Sequence, residues 1–382
     1  QFSQGQPAST EAPFVYRIGT PLLVALFFKD HFLLGYKLVN LAANALSVAL
    51  LTLWLRLFLA DWRIRVLLTA LFITQWHGPV RFTYYDATYT DPWLFVFLLL
   101  GLIVLQRMRE KPGWQATLWM GLITFLGVIF REVVLLLPVS MAFLTNPLPA
   151  WAEFTRLSSA RQWLGLFKRP CYAFLLPFLL GIAAFVGVRA FATQTNQYAF
   201  LTTALDWLYT KPFVTYLHAY FITFGPLMLL PLFSWRRSWR FLWENQHLLV
   251  FLAGLMVLGW IGGSDTERFL YWAMPVVYVL IGLFIAENRA LLHSPGLLLL
   301  LGAATVCSQR LFWVIPDFPN AFPTPTPILS ILSSRFQYLD LWSFFAARPI
   351  QGISFLEYIL LSAVILFWLA RSQGATAVQS TK

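Results

Sequence analysis

Apolar residues run along this chain in blocks about as long as a bilayer is thick, separated by short polar or proline-rich breaks. A window of about 19 residues predicts crossings at 33–57, 64–79, 92–106, 114–130, 133–149, 171–190, 214–233, 247–262, 268–286, 294–312 and 353–370. These blocks are helix-length and do not alternate, so a β-barrel is excluded as the reading of the pattern. Residues 17–28 are too short to span and begin with Arg17 and Pro21, which predicts an interfacial or re-entrant helix. The stretch 114–149 reads either as a hairpin broken at Arg131-Glu132 or as one long helix holding a buried ion pair. The expected fold class is an all-α integral membrane protein of about eleven transmembrane helices, with residues 1–382 as a single polytopic domain.

Composition agrees with the pattern. Of 382 residues 59% are hydrophobic and 11% charged, against about 25% charged in an ordinary soluble domain. Charge then orients the chain. With the N-terminus outside, the inner loops hold 16 of the 27 basic residues and five acids, and the outer side holds 11 of each. Basic excess in short loops marks the cytoplasmic side, which predicts a multi-pass protein of a bacterial cytoplasmic (inner) membrane with its C-terminus in the cytoplasm. The net charge of +11 might suggest nucleic acid, but the run Trp235-Arg236-Arg237-Ser238-Trp239-Arg240 sits beside a helix end. That is the usual place for topogenic charges and contacts with membrane lipids, so nucleic acid is excluded as a partner. The inner segment 150–170 mixes Trp151, Phe154 and Trp163 with basic residues and predicts a surface helix. The segment 313–352 holds Pro316, Pro319, Pro323, Pro325 and Pro327 in its first half and predicts a long outer loop that begins extended. Cys171 and Cys307 are expected as buried thiols. The five histidines are scattered and predict no zinc site.

Ionisable groups at helix ends facing one side are the places to look for chemistry. Asp86 and Asp91 lie five residues apart in an aromatic loop that begins at Arg81. Asp91-Pro92 has the form of a helix cap and first turn, whereas Asp86 has no evident capping duty. The turn Gly262-Gly263-Ser264-Asp265-Thr266-Glu267-Arg268 carries three ionisable groups in four residues. Its glycines allow close backbone approach, and Arg268 offers a fork suited to phosphate; a capped hairpin with a snorkelling arginine is the plainer reading. Arg131-Glu132 reads equally as a charge-neutralising turn or a site. Arg17 beside Tyr16 has the form of an interfacial anchor. No Walker loop, nucleophile elbow or paired-histidine motif occurs.

The opening Ala12-Pro13-Phe14-Val15-Tyr16-Arg17, the Asp86…Asp91-Pro92 loop before a Leu-rich helix, and the Gly-Gly-Ser-Asp-Thr-Glu-Arg-Phe turn followed by Pro275 together resemble bacterial polytopic glycosyltransferases of the GT-C class. The resemblance implies a site on the outer face and a polyprenyl-phosphate-linked sugar donor. In that class an acid in the first outer loop acts as base or metal-binding group, which leaves a divalent cation as a possible cofactor. No helix precedes Arg17 here, so the resemblance implies that a first helix and its carboxylate lie outside this chain. On this reading Asp86, Asp265 and Glu267 supply the acid. Arg17, Arg81, Arg131, Glu132 and Arg268 bind substrate. Asp86 and Arg268 are expected to converge on one cavity within one donor headgroup, on the order of 10–15 Å. A secondary transporter and a non-catalytic subunit of a membrane assembly are the other readings. A transporter would need ionisable groups near the midplane, where Lys37 is the deepest basic residue.

Overall fold

The computed structural model describes residues 9–75, 77–148, 170–195, 199–263, 265–289, 294–308, 355–356 and 358–371. The segment 150–170, apart from Pro170, and the loop 313–352 lie outside them. The described chain is all-α apart from a two-residue parallel strand pair, Ser9–Thr10 with Thr193–Gln194.

Four helices among the described residues are long and apolar enough to cross a membrane: Phe32–Arg56, Asp91–Glu110, Tyr172–Phe191 and Phe213–Phe233. A fifth arises if Trp235–Glu244 and Gln246–Ile261, bent by 113°, count as one span. Shorter apolar helices occupy Trp114–Phe130, Glu132–Met141, Met274–Glu287, Pro295–Val306 and Tyr358–Arg371. Most predicted segments therefore coincide with helices, and among the described residues four, or five with the bent pair, reach full spanning length.

Several boundaries differ from expectation for local reasons. The predicted span 133–149 is a 3-10 turn, Glu132–Leu135, followed by the helix Leu136–Met141. The span 214–233 is interrupted at Gly225, whose φ of 61° suits glycine, and continues through the 3-10 turn Gly225–Met228. The expected loop 191–213 contains the helix Phe200–Thr210, and the expected inner loop 234–246 is mostly the helix Trp235–Glu244. Hydropathy misses both because their polar residues recur at helical spacing and dilute the window average. Cys171 is half-buried rather than buried.

Two compact units divide the chain. The first comprises residues 1–54, 86–199 and 239–254. Its helices Trp114–Phe130 and Leu175–Phe191 pack through small residues. A Cβ at Gly121 would lie 2.8 Å from Leu180, and one at Gly181 would lie 2.7 Å from Thr124. Close approach of this kind is how helices associate where no hydrophobic force separates them from lipid. The helix Phe32–Arg56 presents a buried polar row, Asn40, Asn44 and Ser47. Asn40 Nδ2 donates to the carbonyls of Ala87 and Tyr89, both at 2.9 Å, and Ser47 Oγ to that of Pro92 at 3.1 Å. This row fixes the 86–92 loop in place.

The second unit comprises residues 55–85, 200–238 and 255–382. It is tied by a buried polar node at Gln75, whose Nε2 donates to the Thr223 carbonyl while its Oε1 accepts from Tyr278 Oη at 2.6 Å. Thr223 Oγ1 in turn lies 3.1 Å from the Glu267 carbonyl, which positions the short helix Thr266–Tyr271. Each buried polar group satisfied in this way avoids a desolvation cost of about 1–3 kcal/mol.

Candidate functional site

In the first unit the helix Trp114–Phe130 stops because Arg131 takes an extended conformation, φ −163° and ψ 129°. The two charged residues at this break then part company. Arg131 turns inward, to 1% exposure, and pairs with Asp91, which is equally buried; its Nη1 also donates to Thr90 Oγ1 at 3.1 Å. Asp91 accepts from Tyr89 Oη at 2.8 Å as well. Asp91 is thus not the cap of its helix. Thr90 holds the cap position, without a side-chain cap bond, and Asp91 is the first helical residue, where the helix dipole also favours its charge. Arg131 and Glu132 also take separate ion-pair partners, Asp91 and Arg17, while Arg131 still acts on the neighbouring carboxylate.

Glu132 keeps 37% of its side chain open and lies 3.8 Å from Arg17 Nη2, itself 8% exposed. Arg189 closes the group. Its guanidinium lies 3.4 Å from the Phe185 ring centroid and 4.1 Å from that of Tyr16, and Tyr16 Oη donates to Gln194 Oε1 at 2.9 Å. Burial pushes the Glu132 carboxyl up, but Arg17, Arg131, a backbone hydrogen bond and Arg189 together outweigh it and hold it below its ordinary value. Three arginines against two carboxylates leave one positive charge beside an ionised, part-open carboxylate. Such a group can hold an anion and accept a hydrogen bond from a hydroxyl.

Asp86, also in this unit, has a local duty after all. Its Oδ1 accepts from the Thr88 N–H at 2.9 Å and from Thr88 Oγ1 at 2.7 Å, an Asx turn that shapes the loop.

In the second unit Asp265 stands at the cap position of Thr266–Tyr271 but makes no cap bond. It pairs instead with Arg268 at 2.7 Å, where Arg268 is 14% and Asp265 30% exposed. Ser264 lies outside the described residues. Glu267 is wholly buried. Arg81 Nη1 donates to the Thr74 carbonyl at 2.7 Å, closing the end of the helix Trp62–Thr74, and burial lowers its pKa to about 10. Lys211, which the sequence reading passed over, is the centre of this turn. Its ammonium donates to the carbonyls of Gly259 at 2.9 Å and Gly263 at 2.7 Å, and to Thr266 Oγ1 at 2.8 Å. Gly263 adopts φ 132°, a conformation that L side chains rarely take. Burial pushes Lys211 down to about 8, against the pull of Glu267 and Asp265.

The structure thus brings Arg17, Glu132, Arg131 and Asp91 together in one unit and Asp265, Glu267 and Arg268 in the other. Asp86 belongs to the first unit and Arg268 to the second. Arg189 and Lys211 are the members that sequence reasoning missed. Each looked like an ordinary charge at the end of a segment, and only the fold gives either its partners. Among the described residues no three His, Cys, Asp or Glu side chains gather to hold a metal ion. No protein-family model, curated protein or solved structure matches the chain.

Proposed function

We propose that this chain is a GT-C-like membrane glycosyltransferase that moves a sugar from a polyprenyl-phosphate-linked donor to an acceptor hydroxyl on the outer face of a bacterial cytoplasmic membrane. The observation that carries the reading is Glu132, an ionised carboxylate held among Arg17, Arg131 and Arg189 at a break between apolar helices. In the proposed step the acceptor oxygen bonds to the anomeric carbon while the bond from that carbon to the donor phosphate oxygen breaks. Polyprenyl phosphate leaves, and the hydroxyl proton passes to a carboxylate. Arg17 and Arg189 would meet the growing phosphate charge. Glu132 is a weak base at rest, because its pKa is lowered. The acceptor hydroxyl becomes acidic as its oxygen bonds to carbon, so a weak base suffices late in the reaction. Asp86, Asp265 and Glu267 remain alternative carboxylates, and Arg81 and Arg268 alternative phosphate ligands.

The excess of basic residues in alternate loops supports eleven crossings, with the N-terminus outside and the C-terminus in the cytoplasm. The proposal is tested with the full chain in membranes supplied with radiolabelled polyprenyl-phosphate-linked sugar. Label should leave the lipid-soluble donor above the rate in membranes lacking the chain, and Arg17→Ala should reduce that loss by about 100-fold or more with insertion unchanged. Donor loss equal to that in control membranes overturns the reading.

A further inference from the structure

We infer that the helix Trp235–Glu244 lies in the plane of the membrane surface and binds anionic phospholipid headgroups through a paired row of tryptophans and arginines. The inference needs only that the chain sits in a bilayer, and it does not depend on sugar transfer.

Three observations support it. The helix follows directly on one apolar span, Phe213–Phe233, and turns by 113° into the next apolar helix, Gln246–Ile261. A chain that leaves one crossing and bends this sharply before the next must run near the bilayer boundary in between. Both ends of the helix are also pinned to the ends of apolar helices. Arg237 pairs with Glu287, the last residue of Met274–Glu287. Arg109, in the last turn of Asp91–Glu110, donates to the Glu244 carbonyl at 2.9 Å.

The side chains are then arranged for that depth. Trp235, Trp239 and Trp243 recur every fourth residue, so at about 100° per residue they cover an arc of about 80°. Arg236 and Arg240 follow on the adjacent arc, about 100° and 140° from Trp235. Trp235 is 61% exposed, both arginines are exposed, and Arg236 lies 5.7 Å from the Trp235 ring centroid. Arg237, about 200° round the helix, is also exposed but is paired with Glu287. Trp235, the exposed member of the row, suits the headgroup level where tryptophan is enriched, and the half-buried Trp239 and Trp243 continue the row along the helix. The arginine row beside it matches lipid phosphates, which sit at that same level. Glu244, one turn beyond Arg240, ends the basic stretch.

The occupant is therefore an anionic glycerophospholipid, recognised by its phosphate and net charge. The test uses the full chain in nanodiscs of phosphatidylcholine with a minor share of phosphatidylglycerol. The phosphatidylglycerol that stays bound after release into detergent is counted by native mass spectrometry. The wild-type chain should retain it in preference to phosphatidylcholine. Arg236→Gln with Arg240→Gln should lower that preference by up to about thirty-fold, at about five-fold per basic residue, while Arg236→Lys with Arg240→Lys keeps most of it. Equal retention by the Gln pair and the wild type, with both folded by thermal unfolding, overturns the inference. So does displacement of the lipid by millimolar inorganic phosphate, because a free-anion site would not need the tryptophan row.

Discussion

Replacing Asp91 by Asn leaves the Arg131 guanidinium buried without its counter-charge. Both side chains are 1% exposed, so water cannot enter to compensate. Removing one partner of a buried pair costs about 3–5 kcal/mol, whereas replacing both with apolar residues of similar size is often neutral. The two other donors and acceptors around the pair, Thr90 Oγ1 and Tyr89 Oη, recover part of the loss, which places Asp91→Asn near the lower end of that range. Arg131→Met should cost about as much, since it strands the carboxylate, which a helix N-terminus only partly stabilises. The double variant Asp91→Leu with Arg131→Met should return to within about 1 kcal/mol of the wild type. The unfolding free energy of the purified chain in detergent reads all three, and the coupling between the sites should be about 3 kcal/mol or more. Additive losses would refute the reasoning, and would mean that Arg131 is kept for a ligand rather than for Asp91.

Glu132 predicts a pH dependence. Its folded pKa is lowered from 4.5, so its stabilisation is present above that value and is lost as the pH falls through the folded pKa; the stability advantage of wild type over Glu132→Gln should shrink on acidification, and an advantage constant with pH would be the wrong result. Lys211 predicts the opposite end of the scale. Its pKa falls from 10.5 unfolded to about 8 folded, so wild type should gain stability relative to Lys211→Met as the pH rises from about 8 to 10.5 and be flat below, as read by thermal unfolding. Reporter fusions at 107–113 and 234–246 should give cytoplasmic signals and one within 313–352 an external signal, and an external signal at 234–246 would reverse the orientation.

The helical, membrane-like character was legible because about twenty consecutive apolar residues admit few other readings. What hydropathy could not resolve was where a segment breaks. Gly225 and Arg131 interrupt apolar runs through backbone conformation, which leaves the average hydrophobicity almost untouched. In sequence the helix Trp235–Glu244 looks like a charged inner loop, because its arginines mask the period of its tryptophans. At the site, Arg17, Arg131 and Glu132 were visible as costly charges in apolar surroundings, but their pairing was not. Adjacency suggested Arg131 with Glu132, whereas the fold supplies Asp91, 40 positions away, because Arg131 turns its side chain inward as the helix ends. Arg189 and Lys211 gave no signal of their own. A single basic residue at a segment end is what any topogenic charge looks like, and only tertiary contacts separate the cases.

The central claim is that the carboxylate among the arginines takes part in sugar transfer, and the chemistry leaves a direct product to count. The purified full chain in proteoliposomes, given a polyprenyl-phosphate-linked sugar and a mixture of membrane acceptors, should release one polyprenyl phosphate for each donor consumed, as measured by mass spectrometry. Glu132→Gln should abolish that release, since the amide cannot take the proton, with Glu132→Asp retaining a fraction of it. A donor that stays intact with the wild-type chain, or one that is cleaved equally by Glu132→Gln, would contradict the account.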